Sequence, residues 1–303
     1  MNTYVATIGM FDGVHRGHRF VLERVAECAA ERGLQSMAIT FDHSPHHKQT
    51  LTTVADKRIE ISKAGIDRVE VLPFTDELRQ LTAREFMERV LRDQLGVSVL
   101  LTGYDNRFGH DRRETFEDYV TYGRELGIDV LQLPPMPVDK GRQPVSSSLI
   151  RSLLANGRVE DAANCLGRPY ALTGRVVRGN HVGTTLGFPT ANIEPDDNTQ
   201  LVPAAGVYAV TVRRSDSMTE QHAMMNIGSR PTFDGSRQTL EVNIFQLNEN
   251  LYGERLRVSF VGRLRDEHHF PSADELRSQL AADAEHARQL MGNGSVEDIV
   301  SEK

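Results

Sequence analysis

Apolar and polar positions follow two different periods along this chain, and the change from one to the other divides it. In the first part, short β-branched or apolar runs are each followed by apolar residues at helical spacing. Tyr4–Ile8 is such a run; Phe20, Leu22, Val25, Ala26 and Ala29 then recur on a helical face up to Gly33, and Met37–Phe41 is a second run. Asp56–Ala64 is predicted helical and Val69–Leu72 extended. Thr82-Ala83-Arg84-Glu85 is a capping box that opens a helix with Phe86, Val90 and Leu91 toward the core. Val97–Leu101 and Asp129–Leu133 are further strands, so the alternation predicts βαβ units and a parallel sheet. A short helix through Ala162, Ala163 and Leu166 leads to Gly167-Arg168-Pro169, where the pattern changes. Beyond it Ala171–Val177, Gly206–Val212, Ala223–Ile227, Leu240–Phe245 and Leu256–Val261 read as strands joined by turns, with no helix until Ser272-Ala273-Asp274-Glu275 caps a terminal one carrying Leu276, Leu280, Ala287 and Met291 on one face. Such even spacing predicts an antiparallel barrel or sandwich.

Composition adds limits. A chain of 303 residues fits two domains, each able to bury its own core. The net charge is −7 and no run of lysine and arginine interleaved with aromatics occurs, which argues against nucleic acid as a partner. Cys28 and Cys165 sit in helical patterns far apart and read as core packing. No apolar stretch approaches the roughly 18 residues of a membrane span, and the first residues lack the regions of a signal peptide, so a cytoplasmic protein without membrane contact is expected. Homo-oligomerisation is left open.

The densest chemistry lies in Thr7-Ile8-Gly9-Met10-Phe11-Asp12-Gly13-Val14-His15-Arg16-Gly17-His18, between the first strand and the first helix. Gly9, Gly13 and Gly17 give this turn backbone freedom and room for a ligand. A helix start offers unpaired N–H groups and partial positive charge to an anion. His15 and His18, three apart, share one face of the first turn and can donate hydrogen bonds to phosphate oxygens as charge builds on phosphorus. A bare His-x-x-His is equally the start of an ordinary solvated helix or half of a metal site; the glycine-rich context favours nucleotidyl transfer.

Other segments carry two readings each. Asp42–Lys48 holds three histidines, yet no cysteine or further carboxylate completes a ligand set, and it reads as a polar loop at the carboxyl edge of the sheet. Tyr104, Asp105 and Asn106, at the end of another strand, can hold a flat ring or form a plain turn. Ser146 and Ser147, with Ser148, open a helix as caps, or act with Arg151 one turn later as a phosphate clamp. Gly183–Asn192 is a glycine-rich loop that fits neither common phosphate-loop pattern. Glu241 alternates with Leu240 and Val242 and faces away from them, as an exposed glutamate or a base in a site.

Taken together, these segments resemble the bacterial bifunctional riboflavin kinase/FAD synthetases over nearly the whole chain. The N-terminal stretch is similar to the H-x-G-H signature of nucleotidyltransferases, and Gly187-Phe188-Pro189-Thr190-Ala191-Asn192 to the signature of riboflavin kinases. The resemblance implies an α/β + β chain, with a Rossmann-like nucleotidyltransferase domain at 1–166 that adenylylates FMN to FAD and a β-barrel with a terminal helix at 167–303 that phosphorylates riboflavin to FMN. It implies ATP binding by Gly9, Phe11, Asp12, Gly13, Gly17, Ser146, Ser147 and Arg151, and flavin binding by Tyr104, Asp105 and Asn106. His15, His18 and Glu241 would be catalytic, Glu241 as general base. In the kinase, Gly187, Pro189, Thr190 and Asn192 would hold ATP, and Thr190 and Asn192 the Mg²⁺ that accompanies it. Asn106 stands where the family usually has phenylalanine, Thr184-Thr185 lacks a common basic residue, and His268-His269 replaces a frequent lysine. The alternative is a flavin-binding regulator that kept this fold and lost catalysis.

Overall fold

The structure is a computed structural model that describes residues 4–43, 49–104, 106–110, 112–137, 144–179, 182–215, 217–232, 235–247 and 249–292. Its contacts divide it into two compact units, Met1–Ser146 and Ser147–Lys303.

The first unit is built on five parallel strands, β1 (Tyr4–Ile8), β2 (Gln35–Phe41), β3 (Arg68–Leu72), β4 (Val97–Thr102) and β5 (Asp129–Gln132), in the order β3-β2-β1-β4-β5. The central strands β1, β2 and β4 are buried on both faces because both are covered, whereas the edge strands β3 and β5 carry charged and polar residues. Val5, Ala38 and Val99 face α1 (Arg16–Arg32) and α2 (Val54–Ser62), packing with Leu22, Val25 and Ile61. Their neighbours Ala6, Met37, Ile39 and Leu100 face the opposite way, toward Phe86, Met87, Leu91 and Tyr119. Short α3 (Asp76–Gln80), which the periodicity did not reveal, precedes α4 (Ala83–Glu85), whose expected capping box at Thr82 and Glu85 is present. The chain runs on as a π-helix over Phe86–Gln94, closed by Leu95 N–H donating to the Val90 carbonyl, and α5 (Phe116–Leu126) completes the layer. The strand order reverses between β1 and β4, which opens a crevice at their carboxyl ends, the usual ligand site of such sheets.

The second unit begins with α6 (Ser147–Ala155) and α7 (Val159–Leu166), so the contact division falls before residues 166/167. Both helices are tied to the barrel: the Arg263 guanidinium donates to the Asn156 carbonyl, and Glu160 accepts from the Arg263 N–H. The barrel strands are β6 (Tyr170–Val177), β7 (Ala191–Pro195), β8 (Gly206–Arg214), β9 (Glu220–Thr232), β10 (Gly235–Ile244) and β11 (Arg255–Arg265), closed in the antiparallel order β10-β7-β6-β11-β8-β9. Two elements depart from the sequence expectation: α8 (Val182–Thr185) interrupts the all-strand pattern, and β7 grows out of the glycine-rich loop. Tyr170, Tyr208 and Phe260 meet inside the barrel. On its outer wall Ala209, Met224 and Val261 pack under α9 (Ala273–Gly292), through Ala284, Ala287 and Met291.

Candidate functional sites

In the N-terminal unit His15 is the cap of α1, extended at φ −73° and ψ 173°, and its Nδ1 accepts the His18 N–H at 3.3 Å. An acceptor at Nδ1 puts the ring proton of neutral His15 on Nε2, leaving one outward donor. The rings of His15 and His18 stack with centroids 3.6 Å apart, and Phe11 meets His18 edge-on. Gly17 permits this arrangement, since a Cβ there would lie 3.2 Å from His15 Cε1 and 3.3 Å from Nδ1. The first turn of α1 contains no acidic residue, so its N-terminal N–H groups face no competing carboxylate of their own helix.

His18 is half-buried, and its pKa lies well below the ordinary 6.5: desolvation is the largest cause, followed by the charges of His15 and Lys57. At neutral pH the imidazole is therefore uncharged and can give one hydrogen bond, not two. Its Nδ1 is buried without a hydrogen-bond partner.

The turn before the helix is strained. Gly13 has φ 83°, as expected of a glycine, but Phe11 and Val14 also adopt left-handed values of 47° and 40°. Gly9 is needed for room: a Cβ would come within 3.1 Å of the Phe11 ring. Asp12 secures the turn from the side, its Oδ1 accepting the N–H of Leu51 at 2.9 Å, while Gly13 N–H donates to the Thr52 hydroxyl. Asp12 is thus an anchor of the turn.

Beside it a cavity of about 450 Å³ opens at the carboxyl ends of β1, β2 and β4, walled by Phe41, Phe74, Phe86 and Phe108. Arg79, Arg107 and Arg112 also line it, together with His110, so the apolar walls carry guanidinium groups. Asn106 belongs to this wall, and its amide donates to the Ile8 carbonyl, joining the segment after β4 to the end of β1. Tyr104 is 66% exposed and outside the lining; Asp105 and Ser44–Lys48 lie outside the described residues. The four phenylalanines come from separate segments, which explains why no local motif revealed them. Ser146 is exposed at the end of the first unit, whereas Ser147 and Arg151 lie one helical turn apart on α6 of the second.

In the barrel the register does the work of assembly. Asn192 of β7 is opposite Glu241 of β10, and Glu241 is opposite Asn226 of β9. Directly opposed residues project from the same face, so the three polar side chains form one row. Leu240 and Val242, 4% and 1% exposed, turn into the barrel, as the alternation predicts, and Glu241 turns outward. Outward here does not mean into open solvent: Glu241 lines a cavity of about 330 Å³ roofed by Leu276 and Leu280 of α9.

Thr190 lines this cavity and also a second one of about 350 Å³, where Ala191, Val242, Ile244 and Tyr252 are found. Its loop is held by backbone bonds and by one side chain. Phe188 N–H donates to the Gly183 carbonyl, so close that a Cβ on Gly183 would lie 2.3 Å from the Phe188 oxygen. Gly187 takes φ 84°, and Asn243 donates from β10 to the Pro189 carbonyl at 2.7 Å. Gly179 lies against the Asn192 side chain, whose Nδ2 would be 2.0 Å from a Cβ at that position. Asn243, Glu267 and Arg265 join the Glu241 cavity without having been assigned a role from the sequence.

Protein-family comparison assigns each half. A family model for FAD synthetase matches residues 1–149 and one for riboflavin kinase matches residues 166–291. The bifunctional riboflavin kinase/FMN adenylyltransferase of Haemophilus influenzae is 37% identical, over 95% of this chain and 94% of that protein. That of Pseudomonas fluorescens is 38% identical, over 94% and 92%. The chain belongs to the bifunctional riboflavin kinase/FMN adenylyltransferase family. It is a transferase with both activities, and the reading as a regulator without catalysis is not favoured. Among solved structures, one described as a macrolide-efflux protein from Streptococcus pneumoniae is 32% identical with a TM-score of 0.85, covering 95% of each chain. Among the described residues no helix of this family member is long and apolar enough to cross a membrane.

Proposed function

We propose that FMN is adenylylated at the N-terminus of α1 and that riboflavin is phosphorylated beside Glu241. In the first reaction a phosphate oxygen of FMN attacks the α-phosphorus of ATP, and the bond to pyrophosphate breaks. The aromatic cavity at the ends of β1, β2 and β4 suits the flavin ring, and its arginines suit phosphate. His15 and His18 each offer one N–H to oxygens that gain charge in the transition state, next to the N–H groups of the helix start. Gly9, Phe11, Asp12, Gly13 and Gly17 shape that start, and Ser146, Ser147 and Arg151 are assigned to ATP phosphates on their chemistry.

In the second reaction the primary hydroxyl of riboflavin attacks the γ-phosphorus of ATP, Glu241 takes the hydroxyl proton, and ADP leaves. Riboflavin is assigned to the cavity of Glu241 under α9, and ATP to the cavity on the other side of Thr190. The observation that carries this reading is that Thr190 lines both cavities while Asn192 stands in register with Glu241. A phosphoryl group passing between donor and acceptor must cross that position.

Thr190 and Asn192 present a hydroxyl and an amide oxygen, and no cluster of three His, Cys, Asp or Glu side chains able to hold a metal occurs among the described residues. This donor set fits Mg²⁺ arriving with the ATP phosphates, which supply most of its oxygen ligands. Bound there, Mg²⁺ would offset charge on the phosphates during transfer. Asn243 keeps the Pro189 carbonyl fixed, and with it Thr190.

Incubation with riboflavin and labelled ATP, followed by separation of flavins, tests both steps. Labelled FMN and then FAD are expected; formation of neither refutes the assignment.

A further inference from the structure

Lys57, on the first turns of α2, is 4% exposed, and none of the described carboxylates forms an ion pair with it. Its Nζ donates to two neutral oxygens, the Phe41 carbonyl at 2.9 Å and the Thr40 hydroxyl at 3.4 Å. The Thr40 hydroxyl in turn donates to the Met10 carbonyl at 3.1 Å. A chain of hydrogen bonds thus runs from the ammonium to the middle of the turn that precedes His15. The start of α2 is fixed to the same turn, through Asp12 with Leu51 and Thr52, and through Gly13 with Thr52.

Burying an ammonium without a paired carboxylate is costly, and desolvation lowers the Lys57 pKa below the ordinary 10.5 against the pull of Asp12 and Asp42; an anion brought close to it would offset that cost. The charged groups around it are few. The turn contributes Asp12, and the end of β2 contributes Asp42, which holds His43; both carboxylates act on Lys57 from beyond ion-pair distance. From α1 come His15, His18 and Arg19, and α2 itself carries Asp56, which bonds Thr53, and Glu60, which pairs with Lys63 at 2.9 Å and Arg19 at 3.9 Å.

We propose that Lys57 is a positioning residue for adenylyl transfer, its ammonium fixing the glycine-rich turn through Thr40 and Met10 and setting a positive charge behind His15 and His18. This rests on the assignment of adenylyl transfer to that histidine pair. In a buried site a fixed charge acts over several ångströms with little screening, so it can stabilise charge growing on phosphorus without touching the substrate. The same charge helps to keep His18 neutral, after desolvation and His15. A fixed positive charge behind this site would then come from a lysine locked by two hydrogen bonds, with His18 as a neutral donor.

Lys57→Gln keeps an N–H donor for Thr40 and Phe41 and removes the charge. In the full chain it is expected to lower kcat for FAD formation from FMN by about tenfold or more, with KM for FMN and ATP changed less than about twofold. Riboflavin phosphorylation stays at the parent level, and in histidine-labelled NMR the His18 titration moves to higher pH. A parent-level kcat, or a fall in kcat with an unmoved His18 titration, overturns the proposal. Should the variant not fold, Thr40→Val decides: it cuts the link from the ammonium to the Met10 carbonyl, and FAD formation at the parent kcat refutes the role of Lys57. His18→Ala distinguishes the underlying assignment, because full FAD formation by that variant removes the site itself, whereas its loss beside an active Lys57→Gln removes only the lysine.

Discussion

Asn192 and Glu241 face each other directly across the β7–β10 ladder, so the amide assigned to magnesium and the carboxylate assigned to the substrate proton are fixed by backbone pairing. Neither depends on a loop for its position relative to the other.

Glu241→Gln keeps the size and one acceptor of that carboxylate but cannot take a proton. Loss of a general base costs roughly 10²–10⁴-fold. Riboflavin phosphorylation should fall by about that factor, while FMN supplied directly is adenylylated at the parent rate. Flavin chromatography after single-substrate incubations checks both numbers, and unimpaired FMN formation returns Glu241 to an ordinary strand position.

Asn192→Ala removes an oxygen donor from the same row. The Mg²⁺ and ATP concentrations needed for half-maximal FMN formation should rise, with FAD formation from FMN nearly intact. Titration of Mg²⁺ at fixed ATP is the measurement; an unchanged curve takes Asn192 out of the metal site.

Gly17→Ala separates helix stability from site geometry. Alanine favours the helix by about 1 kcal/mol over glycine, yet its Cβ would press on the His15 ring at 3.2 Å. Adenylyl transfer is expected to weaken while thermal unfolding stays level or moves upward. Full FAD synthesis with a raised midpoint would show that the close approach of Gly17 to His15 has no catalytic consequence.

Stability should depend on pH through His18. Its native pKa lies below the ordinary 6.5, so between those two values the unfolded chain binds a proton that the native state refuses. Stability therefore rises with pH across that window, and is lost as pH falls through it; below the native value both states carry the proton and this slope vanishes. Denaturant unfolding of the parent and of His18→Gln at a series of pH values tests this, with the variant expected to show the shallower slope.

The sequence made the sheet strands legible because β1, β2 and β4 are buried on both faces and read as unbroken apolar runs. It made Glu241 legible as a residue turned away from Leu240 and Val242. It did not disclose β7, since Ala191–Pro195 has little alternation of its own and owes its extended form to pairing with β6 and β10. Nor did it disclose the roof over Glu241, which requires α9 to pack on the outer wall of the barrel. His15 and His18 were expected on one face as two donors; the structure makes His15 the helix cap, so one of its nitrogens is spent on His18 N–H. Asn106 departs from the family phenylalanine and uses its amide on the Ile8 carbonyl, a contact that spacing alone does not suggest.

The central claim is that two reactions proceed at two separate sites, and complementation tests it most directly. His18→Ala and Glu241→Gln are each given riboflavin and Mg²⁺–ATP, alone and mixed. His18→Ala alone should stop at FMN, with FAD formation reduced roughly 10²–10³-fold, and Glu241→Gln alone should leave most riboflavin unreacted. The mixture should make FAD, because each variant supplies the step that the other lacks. Joint loss of both activities in either variant, or a mixture that makes no more FAD than its parts, would contradict the account.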